Sequence, residues 1–84
     1  MTRDEIGRTV ASAIHTFMKN KYDRTPRGIC DASSLYSELY LNPYDVVTIV
    51  MDVGDALGIA MDEDMEYSTV GDIVDAAMEG MRDG

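Results

Sequence analysis

The sequence predicts an all-α fold, and three observations carry that expectation. Apolar residues recur at spacings of three and four in separate segments, the pattern of amphipathic helices. Residues suited to capping a helix stand at the head of those segments,. No convincing strand pattern occurs. The expected architecture is a small four-helix bundle with a long irregular first loop and a short third helix. With 84 residues, the chain is read as a single domain, 1–84. A chain of this size buries roughly 60% of its unfolded surface, so the core is thin.

The first helix opens on Thr2 and Glu5, spaced as a capping box in which each side chain satisfies the other's backbone N–H. Ile6, Val10, Ala13, Ile14 and Phe17 then form one apolar stripe,. His15 falls about half a turn away from Ile6 and is expected to face water. Lys19-Asn20-Lys21 and Thr25-Pro26-Arg27-Gly28 read as chain breaks. Between Asp31 and Leu39 a helical turn is expected, with Leu35 and Leu39 tucked inward. Tyr36, Tyr40 and Tyr44 are also four apart.

The second helix has the strongest start signal. Asn42 is a good N-cap, and Pro43 suits the first helical position, where its missing N–H has no partner in any case. Asp45 in the first turn complements the helix dipole. Val46, Ile49, Val50, Val53 and Leu57 mark the buried face, and Gly58 supplies the stop,. Asp52 and Asp55 lie on the outer side. A short acidic connection, Asp62 to Tyr67, leads to the last helix. There Thr69 and Asp72 form a second capping pattern, and Val70, Ile73, Val74, Ala77 and Met78 supply the apolar face. Gly80 is expected to end that helix or leave a frayed tail.

Composition excludes several function classes. The net charge is −9, from 16 acidic and 7 basic residues. A duplex-binding protein needs a basic stripe to displace counterions, and an anionic membrane attracts cationic rather than acidic surfaces. Neither nucleic acid nor membrane is therefore an expected partner. The charge is also segregated. Residues 1–27 sum to +3 and residues 28–84 to −12, and from Asn42 to Glu66 there are seven acids and no base. Such a surface either keeps a small protein soluble or docks a basic partner. With one cysteine, Cys30, no internal disulfide forms. Ile29 and Asp31 flank it, which is not the electropositive setting of a reactive thiolate. No apolar run reaches transmembrane length and no signal-peptide pattern precedes one, so the expected setting is the cytoplasm.

No catalytic constellation is present, and an enzyme is not expected. A single histidine anchors no triad, and His15 lacks partners at metal-ligand spacing. No glycine-rich phosphate loop occurs. Asp62, Asp64 and Glu66 alternate like the start of an EF-hand, but Tyr67 and Ile73 occupy the positions that need Gly and a bidentate Glu,. No metal site is read there, although loose divalent-ion binding to the cluster stays open. Met51, Met61 and Met78 read as core or groove lining.

The segment Ser34-Leu35-Tyr36-Ser37-Glu38-Leu39-Tyr40-Leu41-Asn42-Pro43-Tyr44-Asp45-Val46-Val47 resembles the acyl carrier protein family, which shows S-L-x-x-D-L-G-x-D-S-L-D-x-V at this place. Thr48-Ile49-Val50-Met51-Asp52-Val53-Gly54 is similar to the E-L-V-M-x-L-E continuation of that family's second helix. Leu57-Gly58-Ile59 resembles its F-G-I close, and Thr69-Val70-Gly71-Asp72 its T-V-G-D opening of the last helix. The likeness runs from Ser33 to Ala77. It implies a carrier-like helical bundle and partners among basic-patched enzymes of fatty-acid or polyketide metabolism, with acids on the second helix meeting Lys and Arg.

The sequence departs from this pattern at the reactive position. The family attaches 4′-phosphopantetheine to the Ser of D-S-L, and here the triplet is Asn42-Pro43-Tyr44. Pro43 has no hydroxyl, so no phosphodiester forms there, and no cofactor is expected at the usual site. The expected role is that of a non-loadable carrier-like partner protein. Its expected docking residues are Asp45, Val47, Met51, Asp52 and Asp55, with Thr48 and Gly54 standing where the family commonly has acids. Two alternatives remain open at this level. The arm could sit on a non-standard Ser (Ser33, Ser34 or Ser37), of which Ser34-Leu35 superficially echoes the motif, or the chain could be a purely structural acidic subunit.

Overall fold

Thr2 and Asn42 both cap as their local sequences demand. The computed structural model describes residues 1–83, and three helices order them: α1 (Arg3–Tyr22), α2 (Pro43–Leu57) and α3 (Val70–Asp83). Thr2 and Glu5 close their capping box, and Asn42 and Asp45 close another at the head of α2. Thr69 and Asp72 repeat the exchange at α3: the Asp72 N–H donates to Thr69 Oγ1 at 3.2 Å and the Thr69 N–H to Asp72 Oδ2 at 3.1 Å. Pro43 is in the first turn of α2 and Gly58 closes that helix with φ +68°. Among the described residues there is no strand beyond an isolated bridge between Ser34 and Thr69.

The helices number three among the described residues, not four. Residues 31–39 make one turn and stop. Ser34 Oγ accepts the Ser37 N–H at 3.1 Å as a local cap. Six residues on, the Leu41 N–H reaches back to the Leu35 carbonyl at 2.9 Å across Tyr40, whose φ is +56°. That left-handed residue ends the turn before a second can form. The connection from Leu57 to α3 holds no short helix either. Asp62 Oδ1 accepts the Asp64 N–H at 2.9 Å in a tight turn, and Asp62 and Glu66 would repel each other four apart on a helix.

Two boundaries also differ from expectation. Lys19-Asn20-Lys21 does not break α1, because lysines in a last turn complement the dipole. The break comes at Asp23, with φ +52°. Gly80 does not end α3. It lies inside the helix, where a Cβ would stand 2.8 Å from Ile59 Cδ1, so the absent side chain admits Ile59.

Ile6, Val10, Ile14 and Met18 of α1 are buried against both other helices, which contribute Ile49, Val50, Val53, Ile73, Val74 and Ala77. The long 23–42 connection joins this core through Leu35, Leu39 and Leu41. Three backbone bonds tie it to the start of α3: Leu35 N to Ser68 O, Val70 N to Ser33 O and Gly71 N to Asp31 O, at 3.0, 3.0 and 2.9 Å. The loop is thus fixed at one end of the molecule, and it sets Tyr36 beside the head of α2. Among the described residues no helix is long and apolar enough to cross a membrane.

Candidate functional site

The expected docking residues divide into two groups. Asp52 and Asp55 are exposed on the outer side of α2, Met51 is 48% exposed beside them, and Val47 is half-buried one turn earlier. Spacings of three and four place these side chains on one face. Among the described residues neither Asp52 nor Asp55 forms a salt bridge, whereas Asp23, Asp31, Asp45, Asp75 and Glu79 all do. Two acids on this face therefore present free carboxylates.

Asp45 is not among them. Its side chain is fully buried and accepts from Lys21 Nζ and Tyr22 Oη, each at 2.5 Å. The Asn42 N–H adds a third bond at 3.2 Å. Burial by itself would raise the carboxyl's pKa, but the bonds from Lys21, Tyr22 and Asn42 outweigh it and hold the group below the ordinary carboxylate range,. The same contact raises the Lys21 ammonium. Asp45 is a structural tie between the last turn of α1 and the first turn of α2, and it has no surface left to offer a partner. Gly54 is not on the docking face either. It is buried, and a Cβ there would lie 2.9 Å from the Ile59 carbonyl oxygen and 3.1 Å from Met61 Cγ. An acid at this position would have no room.

The position where the resemblance expects a modified serine is exposed and held by Pro43. No side-chain oxygen exists at that point, so 4′-phosphopantetheine has no attachment atom at position 43. Of the three alternative serines, Ser33 is 5% exposed, and its hydroxyl accepts the Cys30 N–H at 3.0 Å. Ser34 is half-buried with its hydroxyl accepting from Ser37 N. Ser37 alone is exposed with its hydroxyl unengaged.

A hollow of about 400 Å³ opens beside Pro43. Tyr36, Pro43, Val47, Met65 and Tyr67 give it apolar walls, and Glu63 and Glu66 line it as well. Tyr67 is 3% exposed and donates its hydroxyl to the Asp62 carbonyl at 2.6 Å, which fixes the wall it forms. Burial and the nearby Asp62 raise the Tyr67 phenol, so it stays a neutral donor. Tyr44 is 83% exposed at the head of α2 and Met65 is 47% exposed.

Sequence reading found the face of α2 but not this hollow. Its walls come from three separate segments, around Tyr36, Pro43–Val47 and Glu63–Ser68. Of the tyrosines four apart only Tyr36 lines it, so no local pattern marks it. Met61 and Met78 pack against the core as expected, while Met51 faces solvent. Cys30 is exposed. Among the described residues no three His, Cys, Asp or Glu side chains gather as a metal site.

Comparison with family models, with curated proteins and with solved structures finds no match for this chain.

Proposed function

We propose that the chain is an acyl-carrier-like protein that is not loaded at the usual site and acts as a docking or regulatory partner in acyl metabolism, fatty-acid or polyketide. One observation carries this reading. The head of α2 has an Asn42 N-cap and an exposed position 43, with Asp52 and Asp55 exposed further along the helix, while Pro43 removes the hydroxyl on which carrying depends. The working contacts are Asp52 and Asp55, flanked by Met51 and Val47. The partners are enzymes with a basic patch, the proposed setting is the cytoplasm, and the chain is not itself an enzyme. Binding through exposed acids is salt-sensitive, because their field is screened within about 8–10 Å at ordinary ionic strength.

Incubation with coenzyme A and a permissive phosphopantetheinyl transferase, followed by mass spectrometry, tests this reading. The wild-type chain is expected to stay unmodified and the Pro43→Ser variant to gain one pantetheine arm. An adduct on the wild type, mapped to Ser37 or Ser34, would establish the loaded-carrier alternative. Failure of Pro43→Ser to load while its fold is intact would remove the support that the resemblance lends.

A further inference from the structure

We infer that the hollow beside Pro43 is a socket for one large apolar side chain carried on a Lys/Arg-rich segment of a partner protein. The inference deepens the docking reading above and rests on it, since the socket adjoins the outer face of α2. Three features of the surface define the occupant.

The first is size and chemistry. Pro43, Val47 and Met65 bound a space of about 400 Å³, within the range of concave sites that hold a compact apolar group. Tyr36 adds an aromatic wall, and a ring at the socket gains edge-to-face contact with it. The second is charge. Glu63 and Glu66 line the hollow; among the described residues no basic side chain lines it and neither glutamate forms a salt bridge. An anionic anchor would be repelled, whereas lysines or arginines beside the anchor meet free carboxylates. The third is the loss of the competing occupant: with proline at position 43, no covalent arm shares the mouth of the hollow. An apolar anchor seated in a pocket supplies most of the binding energy at such a site, and complementary charge beside it supplies specificity and a faster encounter.

The test uses a short synthetic peptide with one tryptophan between pairs of lysines. The protein contains no Trp, so emission reports the anchor alone. The peptide is expected to bind with a blue shift of its emission. In 15N-labelled protein, the amide shifts should centre on Tyr36, Val47 and Met65. Replacing its tryptophan by serine, or Met65→Glu in the protein, should weaken binding at least about tenfold. Glu63→Lys with Glu66→Lys should weaken it about fivefold or more, and Asp52→Lys with Asp55→Lys by about twofold or less. Met65 and the two glutamates are exposed, so these variants keep the fold, and circular dichroism checks it. Absence of binding, or binding indifferent to the tryptophan and to Met65→Glu, would overturn the socket. Loss of binding only in the Asp52/Asp55 variant would also overturn it, yet would leave docking on α2 standing.

Discussion

Asp45 at the head of α2 and Asp52 and Asp55 further along are the same side chain in opposite situations. The first is buried, triply bonded and already paired with the chain's own Lys21. The other two are exposed and free. An acidic helix read from sequence looks uniform, but its charges split into one that holds the protein together and two that remain for others. Charge count is therefore a poor measure of a docking surface, because an internal lysine can use up a carboxylate before any partner arrives.

The largest effect should come from breaking the paired end. Asp45→Ala removes two strong side-chain bonds and half of the α2 capping box, and is expected to destabilise the fold by about 3 kcal/mol. Asp52→Ala or Asp55→Ala should change it by less than about 0.5 kcal/mol. Urea unfolding followed by circular dichroism compares them. Equal effects at all three positions would erase the distinction between the two ends.

Acid should dissolve the same distinction. The folded-state pKa of Asp45 lies below its unfolded value, which is about 3.9. The unfolded chain thus takes up the proton first. The stabilisation is complete above that value and is lost as pH falls through the folded one. At neutral pH Asp45→Asn should be clearly less stable than the wild type, and the gap should narrow steadily below about pH 4. Some acid sensitivity should survive in Asp45→Asn, because backbone bonds from Ser68 and Thr69 hold the Asp72 carboxyl down as well. A gap that widens in acid would show that the pair does not hold Asp45 ionised.

The inner side of the free end is pinned even though its outer side is not. Gly54→Ala would push a methyl against the Ile59 carbonyl, which is backbone and cannot swing aside. Overpacking of this kind costs about 1–3 kcal/mol, against a gain in helix propensity of about 1 kcal/mol. A net loss of about 1 kcal/mol is expected, read again from the urea midpoint. Gly80→Ala meets only the flexible tip of Ile59 and should be closer to neutral.

The N-terminal caps of all three helices were legible in the sequence, because a capping residue and its partner are three positions apart and no distant contact is needed to recognise them. The buried stripes of α1, α2 and α3 were legible for the same reason. The burial of Asp45 was not, since Lys21 and Tyr22 approach from 24 and 23 residues away and nothing local marks them as its partners. The expected short third helix is absent from the connection between Leu57 and Val70, where Asp62 Oδ1 takes the Asp64 N–H in a turn, and the 31–39 segment stops at its one expected turn on a backbone angle at Tyr40, a residue with no special reputation for the left-handed region. The socket was hidden because three segments assemble it.

Tyr40 gives the smallest and the sharpest expectation, as it stands in the turn that delivers the chain to the paired end of α2. Its φ of +56° costs a side-chain-bearing residue about 1–2 kcal/mol that glycine does not incur. At 70% exposure the ring gives up little packing when removed. Glycine also gains freedom in the unfolded chain, which returns about 0.4–1 kcal/mol of that advantage. Tyr40→Gly should therefore stabilise the protein by about 0.5 kcal/mol, a rise in Tm of about 2–4 °C at this size. Tyr40 does not line the hollow beside Pro43, so binding of the tryptophan peptide should be unchanged. A fall in Tm would mean that the exposed ring stabilises the turn by more than its backbone conformation costs, and weaker peptide binding would extend the socket to this tyrosine.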